Sequence, residues 1–306
     1  MKVRNLAACL CICLSLCWPG AATASAEFDR HYEVGKDFLQ REQYKLAVAE
    51  FTEALKQTKS ATALVDRGTA YSELKNYQAA LNDLTKAISI EPKNGLAYTI
   101  RGVVYFRSNR PQLAIKDFDT ALTINPNDKF AVVNRAGAYL ISENPGQLAR
   151  NTLNWLDRTG WKSDFATHAT VLTCLAYRMS HDDKQVEAIS AQGLKKLDRL
   201  LWPYPLLKFW QNKIDHEKLL SVAEDSTYDL AQCQAFLGLD AFSKGDLSTA
   251  RTKLSFVSNH GVVNSVEYWL AKHYLEKIDQ KPQAAPILPV SKGNPKKEQK
   301  PVIKRK

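Results

Sequence analysis

The sequence predicts an all-α fold, a superhelix of stacked helix-turn-helix units (an α-solenoid) with additional carboxyl-terminal helices. Three observations predict it. Residues of the same class recur 34 positions apart. Apolar residues within each copy fall at helical spacing. Prolines follow the predicted second helices, which they cannot continue. A repeat of this length is one helix pair, and such pairs bury their apolar faces by stacking on one another.

The first 26 residues are predicted to be a secretory signal peptide. Lys2 and Arg4 precede the apolar run 6–18, and small residues precede an expected cleavage after Ala26. The run has 13 residues, whereas a helix that spans a bilayer needs about 20. We therefore expect an exported protein of the periplasm or cell envelope. Lipidation of Cys17, within "LSLC", is the alternative, and it would make the protein lipoprotein-like and anchor it to a membrane.

The repeats are predicted within residues 27–156, as about four helix pairs. The second copy carries Gly68, Tyr71, Ala80, Leu84, Ala87 and Pro92, and the third carries Gly102, Tyr105, Ala114, Phe118, Ala121 and Pro126. A weaker first copy precedes them, and a fourth begins at Phe130 and loses the pattern after Tyr139. Two antiparallel helices approach closely only where the crossing residues are small, so Gly68 is expected to face Ala80, and Gly102 to face Ala114.

The period and these residues resemble the tetratricopeptide repeat (TPR), a helix-turn-helix unit. The resemblance implies a concave wall built from the first helix of each pair, which grips a protein or peptide partner. The residues expected on that wall are Val65, Asp66, Thr69, Ser72, Thr99, Ile100, Val103, Phe106, Val133, Asn134 and Leu140.

An apolar strip around Val103, Phe106, Val133 and Leu140 suits the nonpolar face of a partner helix. Two alternatives stay open at this stage: later helices of the same chain, or a second copy of it, cover the strip, because exposed apolar patches usually find a cover. In either case Phe106 and Leu140 would be core residues.

The helical pattern continues beyond the repeats without the 34-residue period. Residues 157–225 are expected to form an irregular helical segment, with two short helices around 206–213 and 216–223. A further TPR-like pair and a capping helix are predicted over 226–278, because Ala250 follows Gly238 at the separation of Ala80 from Gly68. The last helix is expected at 265–278.

This later block is similar to the carboxyl-terminal half of the bacterial new-lipoprotein-I family of envelope TPR adaptors. "YPLLKFWQNKIDHEKLL" contains Asn212-Lys213-Ile214 where that family has a Gly-Asn-Ile-like turn, and Val266-Glu267-Tyr268 occupies the place of its "VEY" ending. The resemblance covers most of the chain from Phe28 to Ile278. It implies a dimeric scaffold that brings cell-wall hydrolases to an envelope protease.

The final segment, 279–306, is predicted to be a disordered basic tail. It holds five prolines, eight Lys or Arg and two acidic residues, a net charge of +6. The leader adds +2, so only +2 of the formal +10 belongs to the folded body. The tail either makes weak contacts with a membrane or cell wall, or serves as a spacer. No aromatic residues interleave its lysines, so nucleic acid is not an expected partner.

The sequence predicts no catalytic, metal or cofactor site. No GxSxG, HExxH, GxxxxGK or GxGxxG motif is present. "SELK" at 72–75 is interpreted as a chance match, and "HDD" at 181–183 as a helix cap. Cys174 and Cys233 form either a disulfide or two buried thiols, since spacing does not decide between them.

The predicted function is that of an exported, noncatalytic adaptor or scaffold that binds a protein or peptide partner in its concave groove. Homodimerisation is an open alternative for the same surface. The other function classes are a structural envelope protein held by its basic tail, and an enzyme with an unrecognised site.

Overall fold

The computed structural model describes residues 19–163 and 165–280. Over these residues the chain forms helices and no strand, which confirms the predicted all-α fold. Segments 1–18 and 281–306, which include most of the predicted signal peptide and tail, lie outside the described residues, and residues 19–26 begin the first helix. The helices are α1 (Pro19–Gln40), α2 (Tyr44–Gln57), α3 (Ala61–Glu73), α4 (Tyr77–Ile90), α5 (Gly95–Arg107), α6 (Pro111–Ile124), α7 (Lys129–Ile141), α8 (Pro145–Thr159), α9 (Ala166–Met179), α10 (Asp183–Lys196), α11 (Tyr204–Trp210), α12 (His216–Ala223), α13 (Thr227–Ser243), α14 (Leu247–His260) and α15 (Val266–Gln280).

Consecutive helices pack as hairpins, and the hairpins stack on one another from α1 to α10. Each hairpin turn contains one residue in the left-handed region. In the first five hairpins this residue is Glu42, Lys75, Asn109, Glu143 or His181, with φ between 56° and 60°. The sixth hairpin, α13–α14, has Gly245 in the same place at φ 79°. A left-handed residue ends a helix and reverses the chain, so the shared turn gives all six pairs the same form.

The small residues of the repeat lie where two helices touch. A Cβ built on Gly102 would lie 2.7 Å from Cε1 of Phe118, closer than real side chains approach. At Gly68 the corresponding neighbours are Cγ of Leu84 at 3.0 Å and the carbonyl oxygen of Ala80 at 3.4 Å. The glycines therefore let an aromatic or leucine side chain of the second helix rest on the backbone of the first.

An Arg–Asp ion pair, which the sequence analysis overlooked, recurs with the repeat. Arg67 donates two hydrogen bonds to Asp83, at 2.7 and 2.9 Å, and Arg101 does the same to Asp117 at 2.7 and 2.8 Å. Both carboxylates are buried. Each pair joins the first helix of a hairpin to its second helix. The two neighbouring hairpins α3–α4 and α5–α6 therefore contain equivalent ion pairs.

The middle of the chain is more regular than the sequence analysis expected. Helices α9 and α10 form a fifth hairpin that packs on α8, and the two short helices α11 and α12 follow it. The cap of α10 is Asp182, whose carboxylate accepts a hydrogen bond from the backbone N–H of Gln185 at 3.2 Å. The "HDD" stretch thus works as a helix cap. The 34-residue period is lost here because the turns before α9 and after α10 are longer.

The last helix, α15, packs against α14 and also against α7 and α13, the first helices of the fourth and sixth pairs. It therefore contacts the first helices of two pairs as well as covering the last pair. Gly137 makes room for it, because a Cβ there would clash with Cγ2 of Val266. The phenol ring of Tyr274 packs edge-on against Phe242, with 4.8 Å between ring centroids.

Candidate functional site

Two adjoining pockets remain open along the first helices of the stack. The repeat pocket, about 300 Å³, lies across α3, α5 and the start of α7. The aromatic pocket, about 310 Å³, lies between α7, α9, α13 and the start of α15. Phe130, Asn134 and Asn264 line both pockets. The two pockets therefore form one continuous surface, called the groove below.

The repeat pocket has an apolar floor. Ile100 and Val103 lie along α5, and Leu96 at the start of the same helix is 58% exposed. Phe130, at the boundary with the aromatic pocket, is also 58% exposed. Two large apolar side chains that stay in water beside an apolar floor mark a surface that gains free energy when it is covered.

The polar groups of the repeat pocket are largely paired with one another. Arg107 forms an ion pair with Glu73 at 2.9 Å, and its other guanidinium nitrogen donates to Oδ1 of Asn264 at 3.1 Å. Thr99 donates to Asp128 at 2.7 Å, and Asp128 also caps α7. Since Arg107 is already neutralised, the described residues that line this pocket include no free cation of the kind that would hold a peptide carboxylate.

Six of the predicted wall residues line the repeat pocket: Thr69, Ser72, Thr99, Ile100, Val103 and Asn134. Val133 lines the aromatic pocket instead. Val65 is buried in the core of the second pair. Asp66 accepts a hydrogen bond from the phenol of Tyr32 at 2.8 Å, and burial raises the pKa of its carboxyl group.

Phe106 and Leu140 lie beneath α15, with exposures of 2% and 1%. The sequence analysis placed them on an open wall and left a later helix of the same chain as an alternative cover. The structure has that cover. Tyr274 of α15 bonds to the backbone of Leu140, and Phe106 lies in a small cavity with Trp269 and His273. These two side chains are core residues as long as α15 stays in place.

The aromatic pocket brings together four rings, those of Phe130, Phe165, Trp202 and Tyr228. Gln232, which is 3% exposed, fixes two of them. It accepts a hydrogen bond from the indole N–H of Trp202 at 2.7 Å, and its amide nitrogen lies 3.0 Å from the hydroxyl oxygen of Tyr228. The two rings are thus held in position by a buried amide.

A buried contact between a histidine and a glutamate forms the base of the aromatic pocket. His168 Nε2 lies 2.7 Å from Oε1 of Glu267, and Glu267 is 2% exposed. Burial alone would raise the pKa of Glu267, but the neighbouring imidazole of His168 outweighs that effect and brings this pKa below its usual value. The sequence carried a signal for this pair: Glu267 lies three and seven residues before the inward-facing Leu270 and Tyr274, on one helix face.

Within the described residues no group of three or more His, Cys, Asp or Glu side chains is arranged to hold a metal ion. Cys174 and Cys233 are buried and form no disulfide among the described residues, and burial raises the pKa of both thiols, that of Cys233 to about 12. The thiols are therefore poor nucleophiles. Within the described ranges 19–163 and 165–280, no helix is both long enough and apolar enough to cross a membrane.

The tetratricopeptide repeat family profile matches residues 61–94 and 95–128, which contain the α3–α4 and α5–α6 hairpins. This match confirms the repeat type that the sequence indicates. No curated protein matches the chain.

Several solved structures are similar. The Arabidopsis OM64 TPR domain is 34% identical; the match covers 36% of this chain and 93% of that domain, with a TM-score of 0.36. A tetratricopeptide repeat protein from Parabacteroides merdae is 18% identical over 81% of this chain and 98% of its own, with a TM-score of 0.54. The second TPR domain of human RPAP3, solved with an HSP70 peptide, is 23% identical over 38% of this chain and 97% of that domain, with a TM-score of 0.37.

Proposed function

We propose that this chain, a member of the tetratricopeptide repeat proteins, is a noncatalytic adaptor that binds a segment of a partner protein in its groove. One observation carries the proposal. The repeat pocket keeps an apolar floor and two exposed large side chains, Leu96 and Phe130, while α15 covers the wall next to it. A fold that buries Phe106 and Leu140 yet leaves this neighbouring surface open has a surface suited to another protein.

The partner segment is an extended or single-turn piece rather than a long helix. α15 already lies along α7 and α13, where a long partner helix would otherwise pack. Among the described residues, the open part of the groove comprises two pockets of about 300 and 310 Å³ in series. Such pockets accept individual side chains, so we propose that apolar side chains of the partner enter the repeat pocket beside Ile100 and Val103.

We further propose that the adaptor works outside the cytosol, in the cell envelope. The amino-terminal pattern of basic, apolar and small residues supports export. The similarity of 204–278 to new-lipoprotein-I proteins supports a partner among cell-wall hydrolases or envelope proteases. A homodimer that uses the same groove is a competing occupant, and sedimentation of the purified chain, with and without its partner, separates the two.

The experiment compares two substitutions that each introduce one aspartate, on the two helices of the same hairpin, α5–α6. Val103→Asp places a carboxylate on the floor of the repeat pocket. Leu113→Asp, the control, places it on α6 at a residue that is 45% exposed and lines neither pocket. Full-length variants are used to capture partners from their own envelope fraction, and the recovered proteins are identified by mass spectrometry.

We expect Val103→Asp to lose a protein that the unmodified chain and Leu113→Asp both retain. Titration of that purified protein should then show at least tenfold weaker binding to Val103→Asp, which is about 1.4 kcal/mol. Equal recovery by both variants contradicts binding at the groove. Removal of residues 282–306 tests the alternative role: if envelope retention is lost while the partner is still captured, the tail holds the protein in place and the groove remains the adaptor.

A further inference from the structure

The aromatic pocket differs in chemistry from the repeat pocket. Its rings present negative π-faces, which attract cations. Lys129 already lies over two of them, with its Nζ 4.9 Å from the centroid of Phe165 and 6.0 Å from that of Phe130. No described Lys or Arg lies over Trp202 or Tyr228, although several other rings of the chain are paired in this way. Two fixed rings therefore remain available to a cation from outside.

The pocket also contains a carboxylate without a partner. Asp229 lines it from the first turn of α13, and no ion pair or side-chain hydrogen bond among the described residues involves its carboxylate. The other carboxylate, Glu267, is paired with His168. Burial raises the pKa of Asp229, as expected for a carboxylate that has lost water and gained no cation.

The carboxylates of the pocket also affect the pKa of the Tyr228 hydroxyl. Burial, and then the charges of Glu267 and Asp229, raise its pKa to about 12. A pocket that holds a lone carboxylate, two free aromatic faces and a negative field is complementary to a cation with an apolar stem. A lysine or arginine side chain is such a group.

From this arrangement we infer that the aromatic pocket binds the side chain of a lysine or arginine in the partner segment, with Asp229 pairing its charge and Trp202 and Tyr228 contacting its stem and head. The inference rests on the proposed function and adds the chemical class of the ligand. The two pockets share Phe130, Asn134 and Asn264, so a short segment reaches both. The recognised segment thus has an apolar residue close in sequence to a basic one.

The test uses two peptides that differ in one charge. The first is acetyl-Leu-Ala-Arg-Ala-Leu-amide, and the second carries citrulline, a neutral isostere, in place of arginine. Binding to the full-length chain is measured by calorimetry up to millimolar peptide at low salt, where a part-exposed ion pair is least screened. We expect the arginine peptide to bind about tenfold more tightly than the citrulline peptide.

Two variants locate the effect. Asp229→Asn keeps the size of the side chain and removes its charge, so it should abolish the preference for arginine. Asp225→Asn, at an exposed position just before α13, should leave that preference intact. Thermal melting of both variants checks that the fold is retained.

Equal binding of the two peptides, no binding of the arginine peptide at millimolar concentration, or an unchanged preference in Asp229→Asn each overturns the inference. These outcomes are distinct from failure of the adaptor function. If Val103→Asp releases the natural partner while Asp229→Asn retains it at full affinity, the groove binds its partner and the cation site is refuted. If neither variant releases it, the proposed function itself has failed.

Discussion

The phenol of Tyr274 on α15 donates a hydrogen bond to the backbone carbonyl oxygen of Leu140 on α7, at 2.9 Å. The two residues are 134 positions apart in sequence. Both are buried, with exposures of 0% and 1%. This bond ties the carboxyl-terminal helix to a wall residue that the repeat pattern alone would leave open to solvent.

Tyr274→Phe should destabilise the chain by about 1 to 2 kcal/mol, because it removes the donor and leaves a buried carbonyl oxygen with less hydrogen bonding. The ring and its contact with Phe242 are retained. The free energy of unfolding is measured by urea denaturation. Tyr77→Phe is the matched control, since its hydroxyl makes no hydrogen bond in the described structure and should change stability little. Similar losses in both variants would contradict the role of the bond.

Phe106→Asp should unfold or strongly destabilise the chain, by about 4 kcal/mol or more. It removes a buried ring and puts an unpaired charge beneath α15. Val103→Asp, one helical turn earlier at a half-buried position that lines the repeat pocket, should still fold and should destabilise the chain much less. Circular dichroism and a melting curve of each variant decide. A well-folded Phe106→Asp protein would show that α15 does not cover this part of the wall.

Asp117→Asn should lower the free energy of unfolding by about 3 kcal/mol, because the largely buried Arg101 would lose the carboxylate that accepts its two hydrogen bonds. Replacing both partners, as in Arg101→Met with Asp117→Leu, should be less harmful than the single change, since no charge is left unpaired. Chemical denaturation of the single and double variants measures this. A double variant that loses the sum of both single losses would contradict an ion-pair lock.

Stability should fall as the pH drops below about 6.5, in part through His273. Burial lowers the pKa of this imidazole, and nearby Glu276 only partly opposes the shift. The cationic groups Arg107 and Lys272 line the same cavity. The imidazole of His273 therefore binds a proton more readily in the unfolded chain than in the folded chain. Its contribution to the free energy of unfolding is fully present above its pKa in the unfolded chain, and is lost as the pH falls toward its lower pKa in the folded chain.

His273→Gln should reduce that pH dependence of the melting temperature, whereas His260→Gln, at an exposed residue, should leave it unchanged. The comparison is made between pH 7.5 and pH 5. If the His273→Gln chain loses stability over this range as much as the unmodified chain, the source of the effect lies elsewhere.

The sequence predicted the parts of the fold that depend on near neighbours. The 34-residue recurrence indicated the helix pair and placed Gly102 opposite Ala114, and in the structure the nearest side chain to Gly102 is that of Phe118, one helical turn beyond Ala114. The same inspection could have found the recurring Arg67–Asp83 and Arg101–Asp117 pairs, since they obey the same offset of 34.

The repeat pattern did not predict that α15 would pack against α7. Gly137 and Val266 meet across 129 positions, and nothing in either local stretch specifies the other. The repeat therefore predicted a continuous open wall, whereas the structure leaves six of the eleven predicted wall residues in the repeat pocket. Asp229 and Gln232 had no repeat signal, because the aromatic pocket is assembled from four helices that are distant in sequence.

A stack whose units touch only adjacent units can unzip from either end, one hairpin at a time. The contact of α15 with α7 connects the last hairpin, α13–α14, back to the fourth hairpin, α7–α8. The last three hairpins therefore unfold together, whereas α1 to α4 can unfold locally. Amide hydrogen exchange should therefore divide the molecule at about the third hairpin. A ribosome-bound chain cannot complete the slower-exchanging half until its final helix has been synthesised.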